Sequence, residues 1–168
     1  MKRIRNILMN CKGYSLIELL TTITIVGIIM APMTVFFISN YTTYYTETAK
    51  IDAQQQLRAG MDRIMTDLRR ADNISIENDN GEKKIRLDLG DRIYRYYKQK
   101  NINTDEIIVY QEINEVKNQL VYNVRDFVIE EERTDDGKLQ SVTVTMEVWV
   151  NKAKEEFVSL TNMHKIRY

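Results

Sequence analysis

The sequence predicts an α+β fold in which one long N-terminal helix packs, through its second half, on a C-terminal antiparallel β-sheet. Three observations carry the prediction. The 20 residues from Leu19 to Ile38 contain no charged side chain. Leu57, Met61, Ile64, Leu68 and Ala71 then recur at alternating spacings of four and three, the stripe of a helix with one apolar face. From residue 74 onward, apolar and polar residues alternate in short runs separated by turn residues, as in strands with one buried face.

The chain begins with a short basic leader. Residues 1–13 carry Lys2, Arg3, Arg5 and Lys12 and no acid, a charge of +4, so a chain of zero net charge leaves −4 on the remainder. A mildly acidic body argues against a nucleic-acid surface. The single cysteine, Cys11, falls in this leader, so a chain without the leader has no thiol and its folded part must be held by its core alone. One histidine, His164, and no cysteine cluster leave little for a transition metal, and no cofactor is expected.

The apolar run follows at once. Twenty uncharged residues make about 30 Å of helix, the thickness of a bilayer core. Apart from Glu18, every charge on the run's N-terminal side is positive (Lys2, Arg3, Arg5 and Lys12), and none appears on the other side until Glu47. The excess of basic residues places the leader in the cytoplasm and the body outside, on a single-pass membrane helix. A secretory signal would need a shorter apolar region followed by a small-residue cleavage site, which Met30-Ala31-Pro32 does not supply. A lipoprotein signal would need the apolar region before Cys11, and here it follows.

One carboxylate, Glu18, stands at the start of the run. An acidic residue at the centre of a membrane helix costs about 2.5–3.5 kcal/mol, less near the interface where the side chain reaches toward water. A plain uncleaved anchor leaves it unexplained. Gly27 and Pro32 lie farther along. Proline removes a backbone donor and its ring clashes with the carbonyl of Ile28, so a helix kink is expected at this pair.

The stretch Lys12-Gly13-Tyr14-Ser15-Leu16-Ile17-Glu18-Leu19-Leu20 resembles the processing site of type IV prepilins and the related pseudopilins. The resemblance covers roughly the first forty residues. It implies that a prepilin peptidase/methyltransferase cuts between Gly13 and Tyr14, that Tyr14 is then N-methylated, and that Glu18 guides assembly with other pilin or pseudopilin subunits; for Gly27 and Pro32 it offers, beside an ordinary kink, a stretch that loosens during assembly. Tyr14 departs from the usual Phe or Met of that family but remains aromatic. The resemblance also implies the pilin-like architecture: a cleaved basic leader (1–13), a transmembrane and assembly half-helix (14–38), an amphipathic half-helix (39–72) and a β-rich globular domain (73–168). Residues 14–72 as one helix would span about 88 Å. The pattern Gln56-Leu57-Arg58, Met61-Asp62-Arg63-Ile64, Asp67-Leu68-Arg69-Arg70-Ala71 is similar to the J-type minor pseudopilins and related minor pilins.

Within the amphipathic half, Tyr41, Tyr44 and Tyr45 suit an outer interfacial belt or a subunit contact. The charges Arg58, Asp62, Arg63, Asp67, Arg69 and Arg70 are expected on solvated faces, and Asp72-Asn73 suits the helix end. Expected strands are Ile74–Glu77, Lys84–Leu89, Arg92–Lys98, Glu106–Glu112, Leu120–Glu131, Gln140–Val150 and Glu156–Thr161. Asn80-Gly81, Gly90-Asp91 and Asp136-Gly137 suit turns between them. Trp149 falls on the face opposite Val148 and Val150.

No nucleophile–base set, phosphate loop or metal signature occurs, so no enzyme is expected. The acidic stretches Glu77–Glu82 and Asp135-Asp136 lack the ligand spacing of a calcium loop and are expected to be turns. Tyr94-Arg95-Tyr96-Tyr97-Lys98 mixes aromatics with cations, a composition that can bind single-stranded nucleic acid. A strand with Tyr94 and Tyr96 on one face accounts for it equally. DNA stays open as a partner only because some relatives in the resembled family serve DNA uptake. The expected function is a minor pilin or pseudopilin, a subunit of a filament serving pilus biogenesis, type II secretion or DNA uptake. The alternative is an anchored extracytoplasmic sensor or binding domain outside any filament.

Overall fold

The computed structural model describes residues 15–79, 81–151 and 153–166. The chain divides into two compact units, one ending at Tyr45 and the other beginning at Thr46. A single helix, α1 (Leu16–Arg70), contributes residues to both. In the first unit it is the only described element, and every described residue of that unit is exposed.

The second unit is α+β, as its patterning predicts. Seven strands form one antiparallel meander in sequence order: β1 (Asn73–Asp79), β2 (Glu82–Leu89), β3 (Arg92–Lys100), β4 (Ile107–Ile113), β5 (Val116–Arg133), β6 (Leu139–Trp149) and β7 (Phe157–Lys165). Each expected strand is present. Tight turns hold the meander together: Gly90 and Gly137 take positive φ, as does the Asn114-Glu115 pair that closes the β4–β5 hairpin between Ile113 and Val116. β5 is long enough to serve two neighbours, pairing β4 with its first half and β6 with its second. Between them Asn123 adopts a left-handed backbone at a bulge and its amide donates to the Trp149 carbonyl at 3.0 Å. The sheet curls enough that Lys83 of β2 lies 3.6 Å from Glu131 of β5, across two intervening strands.

The helical stripe Leu57, Met61, Ile64 and Leu68 is buried against the inner sheet face. Removing such side chains from water is the main force joining helix to sheet. Gly60 marks the closest approach: a Cβ built there would overlap Val121 Cγ2 and meet Leu120 Cγ at 3.8 Å. The neighbouring Gln56 amide donates to the Tyr122 carbonyl at 3.2 Å, so β5 crosses the helix directly over this turn.

Two expectations need correction. The helix ends at Arg70, ahead of the expected residue 72. Asp72 leaves the helix to pair with the sheet: its N–H donates to the Asp88 carbonyl and its carboxylate accepts from the Gly90 N–H, both at 2.8 Å. Asp67 was expected on a solvated face and is buried, with 3% exposure. Tyr96 donates its hydroxyl hydrogen to Asp67 Oδ2 at 2.5 Å, and the Gln111 amide donates to the same oxygen at 3.0 Å. Arg63 lies 3.4 Å away, one turn back on the helix. A buried carboxylate persists only with such partners, and here they stitch helix to sheet.

Candidate functional site

The first helical turn sets the local geometry around Glu18. Ser15 precedes α1 and its carbonyl accepts from the N–H groups of Glu18 and Leu19 at 2.9 and 3.1 Å. Glu18 turns back, so that Oε2 accepts from the Ser15 backbone N–H at 3.4 Å. Ser-x-x-Glu is the spacing of a capping box, in which a glutamate three residues into the helix satisfies a backbone donor at its start. The carboxylate also lies where the positive end of the helix dipole favours it. Sequence reasoning passed over Ser15, although the spacing of serine and glutamate was a sufficient signal. Gly13 and Tyr14, the expected cleavage and methylation positions, lie outside the described residues.

Beyond this turn the helix presents apolar side chains on every side, and all described residues through Tyr45 are exposed. By length and composition α1 is apolar enough to cross a membrane. Its polar groups are turned inward on the backbone. Thr21, Thr22, Thr24 and Thr34 donate their hydroxyls to carbonyls one turn earlier, Thr22 to Glu18 at 2.6 Å and Thr34 to Met30 at 2.9 Å. In an apolar medium this satisfies hydroxyls that would otherwise lack partners. The helix continues through Gly27 and Pro32 without interruption. Tyr41 and Tyr45 meet one turn apart with their rings tilted by 54° and centroids at 4.4 Å, and Tyr44 meets Tyr45 edge-on.

A family model described as the prokaryotic N-terminal methylation motif matches residues 8–34. This match supports a protein of the type IV prepilin/pseudopilin family. The match takes in Gly13, Tyr14, Glu18, Gly27 and Pro32, and ends before the sheet domain. No curated protein and no solved structure matched the chain. The motif and the exposed apolar first part of α1 together support membrane anchoring.

The other sequence candidates resolve differently in the sheet domain. Tyr94 and Tyr96 face the core. Tyr97 faces the opposite side, but it is buried there beneath Lys84 and Lys117, 4.8 and 5.6 Å from its ring, and its hydroxyl donates to Glu112 at 2.9 Å. Burial first, and the Glu112 carboxylate second, push the Tyr97 phenol well above its usual range. Four neighbouring cations are paired, Arg95 with Glu112 at 2.9 Å, Arg86 with Glu77 and Asp88, Lys84 with Asp79, and Lys98 with Asp126, while Lys117 donates to Gln99 Oε1 at 3.3 Å. This run therefore offers neither an open ring face nor a surplus of free cations for a nucleic acid. Trp149 is on the outer face as expected, edge-on to Phe157, with the Arg125 guanidinium 3.9 Å from the Phe157 ring. No group of three or more potential metal ligands occurs among the described residues. His164 is half-buried on β7, and burial lowers its pKa below 6.5, with Arg69 adding to the effect.

Proposed function

We propose that this protein is a minor pilin or pseudopilin, a structural subunit with no catalytic chemistry of its own. It is made with residues 1–13 as a cytoplasmic leader, and the prepilin peptidase/methyltransferase cuts after Gly13 and methylates Tyr14. The C-terminal domain stands outside the membrane. The subunit enters a filament through lateral packing of its apolar helix, with Glu18 pairing with the Tyr14 α-amine of a neighbour. A glycine at the cut lets the scissile backbone approach the peptidase. Gly27 and Pro32 loosen the helix during assembly.

The observation carrying this reading is the methylation motif over residues 8–34 on a helix whose described residues through Tyr45 are apolar in the main and all exposed. A surface so large and apolar needs lipid or the helices of other subunits to cover it. The minor-subunit assignment draws on the similarity of residues 56–71 to the J-type minor pseudopilins.

The decisive experiment is mass spectrometry of the N-terminal peptide from membrane-isolated protein. A chain beginning at methylated Tyr14 is expected. Intact Met1–Gly13 in cells with active peptidase would remove the filament reading and leave an anchored domain. Loss of piliation, of protein secretion or of DNA uptake on deleting the gene identifies which of the three machines the subunit serves.

A further inference from the structure

β7 ends the sheet, and one side of its backbone is open. The hydrogen bonds Val150 N–H to Glu156 carbonyl and Ile166 N–H to Gln140 carbonyl fix the alternation. Even-numbered residues of β7 bond to β6, and odd-numbered residues from Phe157 to Lys165 direct their backbone groups away from it. Native edge strands are normally guarded by charge, proline or brevity. β1, the other edge, has Glu77 and Asp79. β7 has nine residues and carries neither charge nor proline from Phe157 through Met163.

A trough runs between this open edge and α1. Three cavities of about 190, 230 and 820 Å³ follow one another along it, from Leu57 and Leu160 to the end of the helix and Ile166. Nine extended residues cover about 30 Å. Val158, Leu160 and Ile166 give the trough a half-buried apolar side. Along its length stand Arg58, Arg69 and Lys165, which form no ion pair among the described residues; Arg69 donates only to the Met65 carbonyl. Asp62 and Asp72 oppose them, and the Asp72 carboxylate is already engaged by Gly90.

We propose that this trough receives an extended segment of a different protein subunit, added to β7 as an eighth strand, with acidic side chains opposite Arg58 and Arg69. Strand addition supplies affinity through backbone hydrogen bonds, and the alternate side chains supply selectivity. A second copy of this chain is the poorer occupant. Through its own β7 it would bring Arg58, Arg69 and Lys165 to the trough, cations where carboxylates are wanted. Its other edge, β1, has Glu77 and Asp79 committed to Arg86, Arg95 and Lys84. The proposal stands whether or not the chain enters a filament.

The test places a benzophenone side chain at Ser159, Thr161 or Met163 of the full-length protein in its own cells. After irradiation, the cross-linked peptides are mapped by mass spectrometry. Expected is one acidic segment of one partner, with the attachment point moving two residues for each two-residue step along β7. Cross-links to this chain's own sequence, to lipid alone, or scattered over unrelated proteins would overturn the proposal. Ser159→Pro removes an outward N–H that the fold does not use, and should cut the Met163 cross-link by at least about tenfold. Ser159→Ala should retain it, with Trp149 fluorescence unchanged in both. Should Ser159→Pro misfold, the pair Arg58→Glu and Arg69→Glu, which leaves the strand untouched, should give a loss of similar size. Full cross-linking in the folded variants would overturn the proposal.

Discussion

Gly60 is the position where the helix–sheet contact leaves no room, and Gly60→Ala tests that contact. In an exposed helix the change would stabilise by about 1 kcal/mol, because alanine is the better helix former. Here the new methyl overlaps Val121 Cγ2. Val121 is fully buried and β-branched, so it cannot swing its methyl aside without displacing β5. Overpacking a tight core costs about 1–3 kcal/mol. The two effects leave a net loss of roughly 0–2 kcal/mol, so the single variant is a weak test and a double-mutant cycle a strong one. Val121→Ala alone should cost roughly 2 kcal/mol from lost burial and the space left behind. Added to Val121→Ala, the Gly60→Ala methyl fills that space and should stabilise the protein. The coupling between the two sites is then about 1–3 kcal/mol, well above the few tenths expected of independent positions. Urea titration of the full-length protein in detergent, followed by the fluorescence of Trp149, measures all four corners. Gly60→Ala stabilising by the same amount in both backgrounds would refute the close approach.

The buried carboxylate network gives a second prediction. Tyr96→Phe deprives Asp67 of a hydroxyl donor and should lower stability by about 1–3 kcal/mol in the same titration. A third concerns acid. Burial would raise the Glu112 pKa, but hydrogen bonds from Tyr97 and Arg95 outweigh it and hold the group below its ordinary 4.5. A depressed carboxylate favours the folded state above its unfolded pKa, and that contribution is lost as pH falls through the folded value. Stability measured from pH 6 downward should therefore fall below about 4.5, and Glu112→Gln should flatten that fall. His164 titrates in a higher window. Its lowered pKa means that the unfolded chain binds the proton first, so stability should decline as pH falls below about 6.5, and His164→Gln should remove that step.

Much of this architecture was legible because its signals are local. Alternation within each strand and turn residues between them are enough to find all seven strands, and the four-three stripe from Leu57 to Leu68 is enough to find the helix face. What escaped depends on partners distant in sequence. Asp67 resembles its charged neighbours, and only Tyr96 and Gln111, 29 and 44 residues farther on, bury it. Gly60 reads as a weak helix residue until β5 passes over it. β5 itself was expected from Leu120 and begins at Val116, because the turn before it uses Asn114 and Glu115 at positive φ. Asparagine is at home there, but glutamate is not a usual sign of such a turn. At the N-terminus the apolar run and Glu18 were plain, while the cap that Glu18 makes with Ser15 was equally local and went unread.

That cap changes what a Glu18 variant means. The carboxylate already does local work by accepting the Ser15 N–H at the start of the helix, and the assembly reading asks it to pair with the amine of a neighbouring subunit as well. Glu18→Ala removes both roles, so failed assembly in that variant does not separate a frayed first turn from a missing ion pair. Losing a helix cap costs about 0.5–2 kcal/mol. Glutamine can fill the same place in a capping box but carries no charge. Glu18→Gln therefore retains the turn and discards the attraction, which at 4 Å and an effective dielectric of 20 is about 4 kcal/mol before desolvation. If the charge selects the register of incoming subunits, Glu18→Gln should be cleaved and methylated at Tyr14 as efficiently as the native chain, yet be missing from sheared filaments probed by immunoblot. Incorporation of Glu18→Gln at native levels, with Glu18→Ala excluded, would instead assign Glu18 to shaping its own helix.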